Sequence, residues 1–378
     1  MSANTLQTEE IERNAEFVKI MHGRSAESTI GLGAMLGKDG EAHRMITDEY
    51  VKRWETTDTT ADNTAGRDKR KAEYMPLVNN YYDLATDLYE EGWAQSFHFC
   101  RFAIGESLLR ALARHEHYLA HMINIKEGMT VLDVGCGVGR PAREIASFTG
   151  CKVVGLNNNS YQISRVIAYA RKEILADRVS FVQGDFMHMD FPENTFDAVY
   201  AIEATVHAPS LEGIYSQILR VLKPGGTFGV FEWVMTDKYD DSNPRHREIR
   251  LGIERGDGIA NMAPRREAVE AIKAAGFILE HEEDLATRPD TIPWYSPLSG
   301  ELKYVNNLWE LFGALRLTKV GRTTMQYFLK GLELIRLAPS GTAETAHELG
   351  LGADSLVAGA KEGLFTPMYF MLAKKPAV

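Results

Sequence analysis

Leu132-Asp133-Val134-Gly135-Cys136-Gly137-Val138-Gly139-Arg140-Pro141 leads from a short apolar strand, through a turn with glycine at alternate positions, into a helix opened by proline. Glycines at such a turn let a ligand approach the backbone closely and leave positive φ available. Nicotinamide and flavin proteins share a glycine-rich strand-to-helix turn, so spacing has to separate the possibilities. The dinucleotide fingerprint is Gly-x-Gly-x-x-Gly, shaped to seat a pyrophosphate at a helix N-terminus. Here the spacing is Gly-x-Gly-x-Gly, with Asp133 two residues ahead of the first glycine.

A nucleoside without phosphate fits that turn. S-adenosylmethionine is one, and its amino group wants a carboxylate nearby, which Asp133 supplies directly or through water. A second signal follows the third strand at Gly184-Asp185-Phe186. In methyltransferases of this kind a carboxylate there accepts from the adenine amino group, and the next residue lends an apolar face. The end of the second strand departs from the usual acidic residue for the ribose, reading Gly155-Leu156-Asn157-Asn158-Asn159. An amide oxygen also accepts from a hydroxyl, so Asn157 takes that role. Cofactor contacts are therefore expected from Asp133, Gly135, Cys136, Gly137, Gly139, Asn157, Asn158, Gln162, Asp185, Phe186 and Glu203.

Outward from the glycine turn, apolar runs alternate with helix-patterned segments, the form of repeated βα units and hence of a parallel sheet. Strands are expected at 130–134, 152–156, 179–182, 196–200 and 227–231, with helices starting near Pro141, Ser160 and Leu211. The spacing of Ile214, Ile218, Leu219 and Leu222 is helical. A helix over Arg265 to Ala275, closed by Gly276, precedes a strand at 277–281, and a last apolar strand covers 368–372. If those two strands complete the sheet, residues from about Arg288 to Phe365 are an insertion, and an insertion that long usually has work to do. It reads as a helical subdomain over the C-terminal edge of the sheet, with Trp309, Leu311, Phe312 and Leu315 inside. Phe312, Leu315, Leu317, Val320 and Phe328, beside Lys319 and Arg322, read as its core; docking on a membrane is the other reading of that set.

The first 75 residues are polar and read as an appendage, partly helical and mobile in the middle around Thr56 to Thr64. Residues 76–287 form the α/β core, and 288–378 the C-terminal region. A formal net charge of −10 argues against a nucleic-acid partner, which needs a concentrated basic surface. The main local exception, Gly66 to Lys71, reads as a solvated linker, with contact to anionic lipid headgroups as the competing reading. Cys100, Cys136 and Cys151 suggest neither a disulfide framework nor a zinc knuckle. The first ten residues lack the basic and apolar pattern of a signal peptide, and no window approaches a spanning helix, so membrane contact is expected to be peripheral. His115, His117 and His121 make a His-x-His-x-x-x-His cluster, but with no cysteine nearby and no His-Glu-x-x-His pattern, no metal is expected.

The stretch from Tyr81 to Phe99, Tyr-Tyr-Asp-Leu-Ala-Thr-Asp-Leu-Tyr-Glu-Glu-Gly-Trp-Ala-Gln-Ser-Phe-His-Phe, resembles the aromatic-rich sterol-recognition segment of the sterol 24-C-methyltransferases. The glycine turn, the segment 155–159, the run Glu203-Ala204-Thr205-Val206-His207-Ala208-Pro209 and the tail Gly363-Leu364-Phe365-Thr366-Pro367-Met368 resemble the same family. The likeness runs from about Tyr81 to Lys375. It implies a Rossmann-like class I methyltransferase fold, a doubly wound sheet with a helical C-terminal sterol-methyltransferase insertion and an N-terminal helical appendage.

It also implies methyl transfer from S-adenosylmethionine to C24 of an unsaturated sterol side chain, on the route to ergosterol-type sterols, with S-adenosylhomocysteine as the second product. An alkene is a weak nucleophile, so transfer leaves a carbocation that must be shielded from water and then lose a proton. Aromatic faces stabilise such a cation, and a positioned carboxylate or imidazole takes the proton. Glu203, His207 and Tyr89 are the catalytic candidates; Tyr81, Tyr89, Glu90, Trp93, Phe97, His98 and Glu232 are those for the sterol. For each aromatic residue plain core packing competes with ligand contact, and Glu203 instead orients the sterol hydroxyl or cofactor in the competing reading. A greasy substrate implies peripheral association with the endoplasmic reticulum or a lipid droplet, on the cytoplasmic face, and a homo-oligomer is expected. The competing functions are C-methylation of another lipid or terpenoid alkene, a nicotinamide oxidoreductase and a non-enzymatic sterol carrier.

Overall fold

A computed structural model describes residues 3–23, 31–55, 64–173, 175, 177–305 and 308–377. Among the described residues six helices precede the sheet: α1 (Ala3–His22), α2 (Gly31–Leu36), α3 (Gly40–Glu55), α4 (Thr64–Ala72), α5 (Tyr74–Gly92) and α6 (Leu108–Met122). The first five do not form a loose appendage. Met21, Ile46, Tyr50 and Trp54 bury together with Leu77, Tyr81 and Leu84 of α5 and with Leu251 further along the chain. Lys38 is buried with them, its ammonium 2.9 Å from Asp87 and 3.0 Å from the Asp83 carbonyl. Most of the stretch expected to be mobile, residues 56–63, lies outside the described residues.

The basic run is a correction to the linker reading, because it lies on α4. Arg70 is buried there, donates to the Ala260 carbonyl at 2.9 Å and to Glu254 at 3.1 Å, and stacks over Trp54. A guanidinium bonded to a carboxylate and a carbonyl, with its flat face covered, packs as a core residue.

The sheet follows the expected βα alternation: β1 (Thr130–Val134), α7 (Arg140–Thr149), β2 (Lys152–Asn157), α8 (Ser160–Lys172), β3 (Val179–Gln183), β4 (Phe196–Ile202), α9 (Leu211–Val221) and β5 (Leu222–Met235). Asn159 and Ser210 cap α8 and α9, their side chains accepting from the N–H groups of Gln162 and Gly213. After α10 (Pro244–Asp257) and α11 (Arg265–Ala274) comes β6 (Ile278–Asp284). The chain ends on α12 (Leu308–Leu317), α13 (Lys319–Leu334), α14 (Thr342–Glu362) and β7 (Phe365–Lys374). The spatial order is β3-β2-β1-β4-β5-β7-β6, with β7 antiparallel to both neighbours. The buried positions of β1, β4 and β5 are mostly apolar because helices cover both faces. The last two strands run longer than their apolar cores suggest, since pairing continues to Asp284 opposite Tyr369.

The insertion is not free-standing. Its longest helix, α14, lies along α10, and the two approach so closely at Gly256 and Gly352 that a Cβ on Gly256 would stand 2.1 Å from the Gly352 Cα. Leu315, Val320 and Phe328, read as core of this region, are instead exposed. The side chains of Trp309, Phe312 and Lys319 lie outside the described residues.

Candidate active site

The strand order reverses between β1 and β4, and α/β sheets bind ligands at the carboxyl ends of strands at such a switch point. The two turns leaving those strands touch. Gly135, at φ 78, faces Ala204 so closely that an added Cβ would be 2.4 Å from the Ala204 Cβ. The N–H groups of Gly135 and Cys136 both donate to the Leu156 carbonyl, so those two positions build the turn itself. Gly137, at φ 53, is open apart from the Phe97 ring, 3.9 Å from where its Cβ would be.

Asp133 lies in register between Gly155 of β2 and Tyr200 of β4 and is buried. Its Oδ2 and the Tyr200 hydroxyl both lack a well-formed hydrogen bond, and burial pushes the carboxyl up to about 7. A buried carboxylate short of donors is unfavourable until a cation or donor arrives. The ammonium of an amino-acid moiety is such a partner, so the residues present fit the expected cofactor. Asn157 spends both amide protons, on the Gly137 carbonyl at 3.3 Å and Gln162 Oε1 at 2.7 Å, so what it offers a ribose hydroxyl is its oxygen. Gln162 in turn donates to Thr86 of α5, and the Asn158 carbonyl accepts from Gln183. Asp185 accepts from Tyr74, the Met187 N–H and His188, leaving one of a carboxylate's four lone-pair positions for an adenine amine. Phe186, next in the chain, is half-buried against the core on that side of the sheet.

Glu203 follows β4 with left-handed backbone, φ 56, which aims its side chain toward the segment after α5. Its Oε1 accepts from the Phe99 N–H at 2.8 Å and its Oε2 from Trp233 Nε1 at 2.7 Å. Burial raises its pKa to about 7, against the opposing pull of His98 and those two donors. His98 has an acceptor at each ring nitrogen, the Phe99 carbonyl at 2.8 Å and Glu116 at 3.1 Å. Burial alone would depress its pKa, but the hydrogen bond and charge of Glu116, with Glu203 and the Phe99 carbonyl adding, outweigh burial and raise it. The aromatic rings form two groups: Phe99 packs on Trp93, Trp233 and Trp294, and Phe97 on Tyr89.

His207 is neutral, lowered by burial to about 4. Nδ1 faces the Gly258 carbonyl at 3.3 Å and therefore carries the proton, while Nε2 accepts from the Tyr82 hydroxyl at 3.0 Å. The Tyr81 and Tyr89 hydroxyls are hydrogen-bonded to each other, and Tyr89 also reaches Asp257 at 3.5 Å. Asp257 is buried with Oδ2 unpartnered among the described residues, and burial, with the nearby charge of Glu203 adding, raises it to about 8.

Other sequence candidates are engaged elsewhere. Glu90 is clamped by Arg165 and Tyr169. Glu232 is fully buried and accepts from Thr205, from Tyr215 at 2.8 Å and from the Trp233 N–H; burial raises it to about 7. Trp93, by contrast, stays with the site, its indole N–H donating to the His98 carbonyl. Of the clustered histidines, His115 stacks on Phe231 and His117 pairs with Glu144. Among the described residues no group of three His, Cys, Asp or Glu is placed to hold a metal.

Asp257, Trp233 and Tyr74 were not foreseen from sequence. For Asp257 a signal existed: an acid at a helix C-terminus, between two glycines, opposes the helix dipole and so wants a reason. Tyr74 and Trp233 gave none, since their partners lie in other segments.

Residues 132–230 match the methyltransferase domain family, and residues 312–377 match the sterol methyltransferase C-terminal family. The chain is 58% identical over 377 residues to the sterol 24-C-methyltransferase ERG6A of Gibberella zeae, covering 100% of this chain and 99% of that one. It is 56% identical over 376 residues to the sterol 24-C-methyltransferase erg6 of Aspergillus fumigatus, covering 100% of both. Among solved structures, geranyl diphosphate methyltransferase in complex with GPP and sinefungin superposes with a TM-score of 0.57 at 18% identity, over 81% of this chain and 100% of that one, a likeness of fold.

Proposed function

The chain belongs to the sterol 24-C-methyltransferase family, and from that premise we propose how its residues carry the reaction. The enzyme transfers the methyl group of S-adenosylmethionine to C24 of an unsaturated sterol side chain, and loss of a proton then gives a 24-methylene sterol in ergosterol-type biosynthesis. The cofactor, when bound, supplies an electrophilic methyl group on sulfonium. Asp133 holds its amino group, Asn157 its ribose and Asp185 its adenine, while the glycine turn admits it to the sheet edge.

The acceptor lies along the wall formed by Tyr81, Tyr89, Trp93, Phe97 and Phe99, whose ring faces stabilise the cation while the enclosed site excludes water. Glu203 takes the proton. A carboxyl with a pKa of about 7 is matched to accepting a proton near neutral pH. Neutral His207, fixed by Gly258, orients Tyr82 beside it. Asp257 and Tyr89 act together at the same chamber. The observation that carries this reading is the seating of Phe97 over Gly137 together with the Phe99 bond to Glu203, which brings the aromatic segment to both the cofactor turn and the base.

The sterol reaches this chamber from the cytoplasmic face of the endoplasmic reticulum or a lipid droplet, by peripheral association. No helix among the described residues is long and apolar enough to cross a membrane. The test of the whole reading is incubation with methyl-labelled cofactor and a panel of sterols differing in side-chain unsaturation. Labelled 24-methylene product is expected only from those with the side-chain alkene; label in none of them, with cofactor bound, would overturn it.

A further inference from the structure

Helix α13 turns an apolar face outward. Val320 is 77% exposed, Tyr327 71%, Phe328 58% and Leu334 85%; Ile335 and Leu337, just beyond the helix, are exposed as well. Val320, Tyr327 and Leu334 recur every seven residues and so lie on one stripe, with Phe328 and Ile335 about one residue's rotation to its side. The opposite face is the packed one, where Leu329 is buried. Small residues, Thr324 and Gly331, lie between these apolar side chains on the same stripe, and large apolar side chains clustered on one exposed helix face mark a site of interaction.

Charge identifies the occupant. Between Val320 and Leu337 the exposed positions are Val320, Thr323, Thr324, Tyr327, Phe328, Lys330, Gly331, Leu334, Ile335, Arg336 and Leu337. No acid stands among them, in a chain whose net charge is −10. The one acidic residue of the helix, Glu333, faces inward and accepts from the Ala343 N–H. Apolar and aromatic residues flanked by cations, with acids withdrawn, complement a bilayer interface with anionic headgroups. A second copy of so acidic a chain is a poorer match.

The helix is also joined to the site. Arg322 donates to the Gly350 carbonyl at 3.1 Å and pairs with Asp354 at 2.7 Å, fixing α13 to α14. Helix α14 crosses α10 at Gly256, one residue before Asp257. Three helices in series thus separate the outward stripe from the chamber.

We propose that the exposed face of α13, from Val320 to Leu337, docks the enzyme on an anionic lipid surface and so brings the site to membrane-dissolved substrate. The proposal rests on the sterol reading above for the identity of the substrate, but lipid binding itself does not.

The test compares the full-length protein with a Val320→Ser/Phe328→Ser/Leu334→Ser triple variant, each substitution being at an exposed position. Wild type is expected to sediment with phosphatidylserine-containing vesicles more than with pure phosphatidylcholine vesicles, and the triple variant to lose about tenfold or more of that partitioning. With sterol delivered in cyclodextrin the two proteins turn over alike; with sterol in vesicles the variant is slower. Absence of wild-type vesicle binding, or equal binding by the variant, overturns the proposal. So does a wild-type dimer dissociated by the substitutions with lipid binding unchanged, which would make the face a contact between copies. Failure of wild type to methylate sterol from cyclodextrin would instead strike the sterol reading and leave vesicle binding to be judged separately.

Discussion

The backbone N–H of Phe99 donates to the Glu203 carboxylate at 2.8 Å, across 104 residues of chain. That bond ties the end of the aromatic segment to the turn after the fourth strand, so base and wall hold one another. Replacing Glu203 by Gln keeps an acceptor oxygen for one donor but removes the basic site. Cofactor affinity by calorimetry should stay within about threefold, while turnover falls by about 10²–10⁴-fold. Unchanged turnover would remove Glu203 from the chemistry.

The acid limb of the rate profile follows from the same residue. Glu203 must be ionised to accept a proton, and with a pKa of about 7 its ionised fraction grows as pH rises through that value. kcat/KM should therefore climb through about pH 7. A profile flat from about pH 6 to 8 would contradict the assignment.

Asp257 makes a different, pH-resolved prediction. Its carboxyl, raised to about 8, is mostly neutral below that pH, where asparagine is a fair mimic. Asp257→Asn should thus approach wild-type kcat below about pH 7 and fall behind above about pH 8, where only wild type gains a charge. A constant ratio across the range would mean that ionisation of Asp257 plays no part.

Stability without cofactor should fall with rising pH. Asp83, Asp133, Glu203 and Glu232 are raised to about 7 and Asp257 to about 8, in each case chiefly by burial. Their unfolded values lie near 4, so between the two values the folded state holds more protons, and the contribution present at low pH is lost as pH rises through the folded pKa. His22, His43, His115 and His207, lowered by burial, act in the opposite sense, but their effect is largely complete by about pH 7. The melting temperature of the cofactor-free protein should drop from about pH 7 to 8; a rise across that interval would refute the balance.

Lys38 tests whether the N-terminal helices are structural. Its ammonium is wholly buried against Asp87 and the carbonyl of Asp83. Lys38→Ala leaves Asp87 buried without its cation, bonded to the Tyr161 hydroxyl, and should lower unfolding free energy by about 3–5 kcal/mol in urea titration. A loss below about 1 kcal/mol, the scale of an exposed pair, would mean the helices contribute little.

The α/β core was legible because its signals are local. Apolar runs at Thr130 and Lys152 and capping side chains at Asn159 and Ser210 each act within a few residues. The cofactor turn was legible for the same reason, since Gly135, Gly137 and Asp133 are adjacent in sequence. What escaped depends on distant partners. Glu90 read as a ligand until Arg165, 75 residues on, claimed it. Arg70 read as part of a solvated linker because burying it requires acceptors from remote segments. The outward stripe on α13 read as core because its apolar residues were counted without knowing which way they face.

The close approach of Gly256 and Gly352 bears on how this family can be recombined. The two residues sit on opposite sides of the boundary between the α/β body and the C-terminal insertion, and neither tolerates a side chain facing the other. A chimera that grafts residues 288–365 from a relative would have to bring a glycine to the graft side of that crossing and find one waiting on the body side. Breakpoints for exchanging acceptor preference between relatives are therefore set by this matched pair, not by the apparent modularity of the two halves.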